Sequence, residues 1–170
     1  TKDLQLGIFN YDAVLTKRFV SKVKNNQAYN FADNFLDLVK KNNQSNNKLI
    51  HGDISLVNIL ADGTLIDAER ACIGNPLIDI TAILENPKIK NRVKKERLLM
   101  YYMEKTGIDE KTVNDDYDLY ALFNSACMAA NRISKNDVEA AREYILKVEQ
   151  LGSQKKLKKL RDNFIDSVKQ

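Results

Sequence analysis

The sequence predicts a mostly α fold of the α+β class: one domain over residues 1–170, with a single short β-hairpin set among helices. Three observations predict it. Apolar residues recur at helical spacing along most of the chain. Only 2 Pro and 6 Gly are present, too few for the turns of an all-β sandwich. Ala61-Asp62-Gly63 stands between two short apolar runs, a hairpin signal. At 170 residues and 44% apolar, the chain is long enough to bury a sizeable core.

Taken in order, Asn10 is placed to cap a first helix running to about Lys24, with Val14, Leu15, Phe19 and Val23 on one side. Phe31, Phe35, Leu38 and Val39 mark a second helix over residues 28–41, and the Asn/Gln-rich stretch 42–47 reads as a polar loop. Val57–Leu60 and Thr64–Asp67 are the two predicted strands of the hairpin. Gly74-Asn75-Pro76 reads as a turn from which Pro76 opens a helical segment. Asn86-Pro87 is read as cap and first residue of the next helix, which Gly107 ends. Leu119–Asn131 is apolar nearly all round, so that helix is expected to be buried on most sides. Asn136 with Glu139 resembles a capping box ahead of Val138, Ala141, Ile145 and Val148, and Gly152 closes that helix. A last helix sets Leu157, Leu160, Phe164 and Val168 against a Lys-rich face.

No run of 18 apolar residues is present, so no spanning helix is expected, and no membrane partner. The two cysteines, Cys72 and Cys127, lack metal or redox spacing and read as buried apolar residues, which suits a cytoplasmic setting. The net charge of +4 lies wholly in residues 151–170; the rest of the chain holds 21 residues of each sign. That confines the basic excess to one helix and argues on charge against a nucleic-acid partner.

The chemistry concentrates in His51-Gly52-Asp53-Ile54-Ser55-Leu56-Val57-Asn58, followed by Ile66-Asp67-Ala68-Glu69. Phosphoryl transfer from a nucleotide needs a carboxylate to orient the attacking hydroxyl and oxygen donors to hold Mg²⁺ on the phosphates. Asp53 suits the first task, and Asn58 and Asp67 the second. Glu69 points to the side of Asp67 if the chain stays extended, which would make it an accessory metal group. His51 is expected to hold the loop backbone beside the nucleotide rather than to move protons.

These segments, with Leu49-Ile50 before them, Ile59-Leu60 between them and Gly74-Asn75-Pro76-Leu77-Ile78-Asp79-Ile80 after, resemble the aminoglycoside phosphotransferase and choline kinase family. The resemblance covers residues 49–84 and implies the helical C-terminal lobe of a protein-kinase-like fold. It implies Asp53 as the catalytic carboxylate, Asn58 and Asp67 as Mg²⁺ ligands, and His51 with them at the ATP or GTP. It further implies Asp79 as a buried support of the loop. The implied activity is transfer of the γ-phosphate to a hydroxyl of a small molecule such as an amino sugar, an aminoglycoside or a choline-like alcohol. Residues 1–48 would then be helices leading into the catalytic segment, and 85–170 the acceptor-binding part.

Three departures stand out. The step from Asn58 to Asp67 is about four residues shorter than is usual in that family; removing two from each strand preserves the side-chain alternation. Ala68 stands where a bulky aromatic is common. No Gly-x-Gly-x-x-Gly loop and no Val-Ala-x-Lys strand precede the motif, so the nucleotide-covering lobe is expected before Thr1 and this chain alone is expected to be inactive. Among acceptor-binding candidates, Asp115, Asp116 and Asp118 with Tyr117 and Tyr120 would attract a cation, or simply form a solvated helix start. Asn124, Asn131 and Arg132 are further candidates for a cleft. Two other classes remain open: a kinase-like module that binds without catalysing, and a binder of nucleic acid or membrane surface acting through Lys155–Arg161.

Overall fold

The computed structural model describes residues 11–41 and 48–169. The polar loop predicted for 42–47 and the capping role of Asn10 lie outside the described residues. The chain is mostly helical with one small antiparallel sheet. Helices α1 (Tyr11–Val23) and α2 (Asn26–Lys41) lead into strand β1 (Lys48–Ile50). Strand β2 (Cys72–Gly74) follows, then α3 (Leu77–Leu84), α4 (Arg92–Thr106), α5 (Glu110–Ile133), α6 (Val138–Leu151) and α7 (Lys158–Val168). None of the helices among the described residues is long and apolar enough to cross a membrane.

α5 is the axis of the body. Leu119, Tyr120, Ala121, Leu122, Phe123, Ala126, Ala129 and Ala130 are all buried, so it is covered on most of its circumference by α1, α3 and α6. α2 packs on α7. Phe123 stacks on Phe35 with ring centroids 3.9 Å apart and lies 5.7 Å from Phe31, which in turn contacts Phe19 and Phe164. Five aromatic rings from four helices thus form the centre of the core. Gly152 ends α6 where α7 passes close by: a Cβ there would clash with the side chain of Arg161.

Three boundaries differ from expectation, each for a local reason. α4 begins at Arg92, where Asn91 Oδ1 accepts from Lys94 N at 3.0 Å; Asn86 instead ties a turn by accepting from Lys88 N. α6 is capped by Asp137, because Asn136 adopts a left-handed conformation (φ 56°) that suits the turn before the helix. The hairpin strands predicted over Val57–Leu60 and Thr64–Asp67 do not form as strands. Leu56–Asn58 is a 3₁₀ turn, and pairing shrinks to one bridge, Ile59 with Leu65. The regular pairing is instead β1 with β2, Ile50 opposite Cys72, which closes the base of the segment.

Candidate active site

Everything between β1 and β2 is a loop of 21 residues whose shape is held by side chains. Asp79, on the first turn of α3, is only 5% exposed. Its two carboxylate oxygens accept from the backbone N–H of His51 (2.6 Å) and of Gly52 (3.0 Å). Burial pushes its carboxyl above the usual range, and the two N–H donors only partly offset that. Gly52 has φ 75°, a conformation that favours glycine, and so turns the chain to present Asp53.

Asn58 closes the turn: its Nδ2 donates to the backbone carbonyl of Asp53 at 3.0 Å. With the amide nitrogen so engaged, Oδ1 is the end left to face a cation. The backbone carbonyl of Asn58 accepts from Ile66 N at 3.0 Å, and the carbonyl of Ile66 meets His51 Nε2 at 2.9 Å. Ile66 is thereby pinned between the start and the end of the loop, and Asp67 is its immediate successor. Asp67 is exposed and sits in the left-handed region (φ 62°, ψ 44°), which costs an L-residue about 1–2 kcal/mol but is tolerated best by Asp and Asn.

The structure therefore links His51, Asp53, Asn58 and Ile66 by hydrogen bonds, with Asp67 next in the chain after Ile66 and its side chain exposed. Glu69 is placed differently from the extended geometry expected of it. Residues 68–70 form a 3₁₀ turn, Glu69 is exposed, and its carboxylate is 3.7 Å from Arg70 Nε. Among the described residues no three His, Cys, Asp or Glu side chains converge as a metal cluster. The oxygen donors nearest in sequence that remain are the Asn58 amide oxygen and the exposed Asp67 carboxylate.

Asp53 also lines a cleft of about 400 Å³ between the loop and the helices α1, α3 and α5. Asn124 and Asn131 of α5 line it; Asn124 Nδ2 donates to the carbonyl of Ile78 and to Thr81 Oγ1, both at 2.8 Å. Arg132 does not line it and pairs with Asp137. The acidic trio is not at the cleft either: Asp116 is buried, Asp118 accepts from Gln154, and Asp115 accepts on its carbonyl from Lys156. These residues belong to the interior of α5 rather than to a helix start, because the helix begins at Glu110 under the Asp109 cap.

Three basic side chains at the cleft escaped sequence reading. Arg70 ion-pairs with the Asp53 carboxylate, and Arg18 and Lys22 enter from α1. The i, i+4 spacing of Arg18 and Lys22 puts them on one side of a helix, but nothing in the sequence says that this helix lies beside residue 53. Cys127 lines the same cleft, and burial pushes its thiol up to about 12 against the opposing influence of Arg18.

Comparison of the chain with family models, with curated proteins and with solved structures finds no match.

Proposed function

We propose that this chain is the helical catalytic lobe of a kinase-type phosphotransferase, moving the γ-phosphoryl group of ATP or GTP to a hydroxyl of a small molecule with Mg²⁺ as cofactor. The observation that carries the reading is the hydrogen-bonded unit around Asp53. Asp79 holds the backbone at 51–52, Asn58 holds the Asp53 carbonyl, and Ile66, the residue before Asp67, bonds to the Asn58 carbonyl. A carboxylate and two metal-side oxygens are then presented from a loop that has no regular secondary structure to do it.

In this reading the acceptor oxygen bonds to the γ-phosphorus, the bond to the β-phosphate oxygen breaks, and a nucleoside diphosphate leaves. Asp53 orients the hydroxyl and takes its proton late in the transfer. Asn58 and Asp67 hold the metal, which when bound neutralises charge on the phosphates. His51 keeps the two ends of the loop together. A nucleotide-covering lobe from outside these residues completes the site. The exposed apolar side chains of Leu49, Val57, Leu60 and Leu65 support a packing partner beside the hairpin.

A second reading is a kinase-like lobe that binds without catalysing. It is favoured by one observation, the Arg70 ion pair that occupies the Asp53 carboxylate. The basic-helix reading has less support, since Leu157, Leu160 and Phe164 bury the inner face of α7 and leave its lysines in water.

Calorimetric titration with ATP, with and without Mg²⁺, tests the proposal alongside Mn²⁺ broadening of the amide resonances of residues 51–70. Expected are nucleotide binding that requires the metal and is lost in Asp67→Asn, and broadening centred on Asn58 and Asp67. Absence of both effects overturns it.

A further inference from the structure

The cleft beside Asp53 has a charge pattern opposite to the one a cationic acceptor needs. Its carboxylates are all engaged: Asp53 with Arg70, Asp79 with the backbone of the loop, and Glu85 with Lys147 at 2.6 Å and Tyr117 at 2.8 Å. Of its three cations, only Arg70 is paired. Among the described residues Arg18 and Lys22 have no carboxylate partner, and both line the cleft from one side of α1. On α5, Ser125 is buried at 1% exposure and lines the same cleft, and its hydroxyl has no hydrogen-bond partner among the described residues. A buried hydroxyl left alone is costly, so it marks a place where a polar ligand atom is wanted.

The position of the cleft says which substrate it serves. Asp53 lines it, whereas Asn58 and Asp67 do not. In the kinase reading, a ligand that fills it meets Asp53 without meeting Asn58 or Asp67, which suits an acceptor better than a nucleotide.

We propose that the cleft receives a hydroxylated organic anion, one whose carboxylate or phosphate group is paired by Arg18 and Lys22 while its hydroxyls reach Ser125, Asn131 and Asp53. The inference rests on the kinase reading for the word acceptor, but the binding itself needs neither nucleotide nor metal. Arg18 supplies a planar two-pronged donor and Lys22 a compact charge, a pairing suited to an oxyanion rather than to an ammonium group. A cationic sugar would instead meet two positive side chains in a confined space.

The test is titration of the 170-residue chain, free of nucleotide and Mg²⁺, with four probes of similar size: gluconate, glucose 6-phosphate, neutral sorbitol and cationic glucosamine. Expected is binding of at least one of the two anions, about tenfold or more tighter than of sorbitol or glucosamine. Arg18→Gln and Lys22→Gln should each weaken the anion by roughly tenfold, whereas Lys158→Gln, the same charge change on the far basic helix, should leave it unaltered. Which anion binds separates the carboxylate from the phosphate class. Tighter binding of glucosamine, binding of neither anion, an equal effect of Lys158→Gln, or displacement of the anion by Mg-ADP overturns the proposal. Failure of the nucleotide titration with anion binding intact would overturn the kinase reading alone.

Discussion

The helical body and the loop between β1 and β2 are built on different principles. The body is held by area: Phe31, Phe35, Phe123 and Phe164 are fully buried, and α5 is enclosed along most of its length. The loop buries little. Val57 is 82% exposed and Leu60, Leu65 and Ile66 are all exposed, while pairing in the hairpin comes down to one bridge with Leu60 N to Thr64 O at 2.9 Å and Ile66 N to Asn58 O at 3.0 Å. Its shape depends on a few directed contacts hung from one buried carboxylate. Dispersed apolar contact tolerates loss by degrees, whereas a structure with a single anchor fails at that anchor. The candidate chemistry sits on the second kind, where side chains can be aimed and still reach solvent.

The contrast can be broken first in the body. Phe123→Ala should cost about 3–5 kcal/mol, because it removes the ring shared by the Phe35 and Phe31 stacks and leaves a cavity. Chemical denaturation measures it, and a loss below about 1 kcal/mol would mean the aromatic cluster is not the centre of the core.

Next is the anchor. Asp79→Asn keeps one acceptor and turns an amide N–H₂ toward the other backbone N–H, stranding a buried donor at a cost of about 1–3 kcal/mol. The distinctive result is regional: amide exchange should quicken over residues 51–58 and stay slow in α5. Uniform acceleration would show that Asp79 stabilises the whole chain rather than the loop.

How much of this was legible in the sequence follows the same division. The helices of the body were placed by apolar spacing, because burial and helical period are written residue by residue. Errors fell at caps, where Asn91 and Asp137 competed with equally good neighbours Asn86 and Asn136. The loop was legible in its residue types but not in its geometry. Residues 56–58 and 68–70 form 3₁₀ turns where strand and extended chain were expected, and Glu69 leaves the line expected of it. The role of Asp79 as loop support was suggested by the family resemblance, and the structure has its carboxylate on the loop amides. Arg18, Lys22, Arg70 and Ser125 could not be assigned, since what joins them is the packing of α1, α3 and α5 around residue 53.

Glu85 tests the border between the two regions. Burial alone would raise its carboxyl, but hydrogen bonds from Lys147 and Tyr117 outweigh that and hold it below the ordinary value of 4.5. A depressed carboxyl stabilises the fold above its unfolded value, and the contribution is lost as pH falls through the folded one. Stability should therefore drop below about pH 4.5. Glu85→Gln should flatten that acid limb while costing about 0.5–1.5 kcal/mol at neutral pH. An unchanged acid limb in the variant would place the pH sensitivity in other carboxylates.

The smallest expected effect is the most pointed. Val57→Ser changes an apolar residue that the described structure leaves in water, so stability should move by no more than about 0.5 kcal/mol. A loss of 1 kcal/mol or more would contradict the exposure of the hairpin and mean that some segment of this chain covers it. The same substitution in a longer chain bearing a nucleotide-covering lobe should behave differently, because Val57 and its apolar neighbours Leu60 and Leu65 would then lie in an interface. An effect confined to the longer chain would show that the hairpin keeps its apolar residues for a partner rather than for its own folding, which is the difference between the loop and the body in its sharpest form.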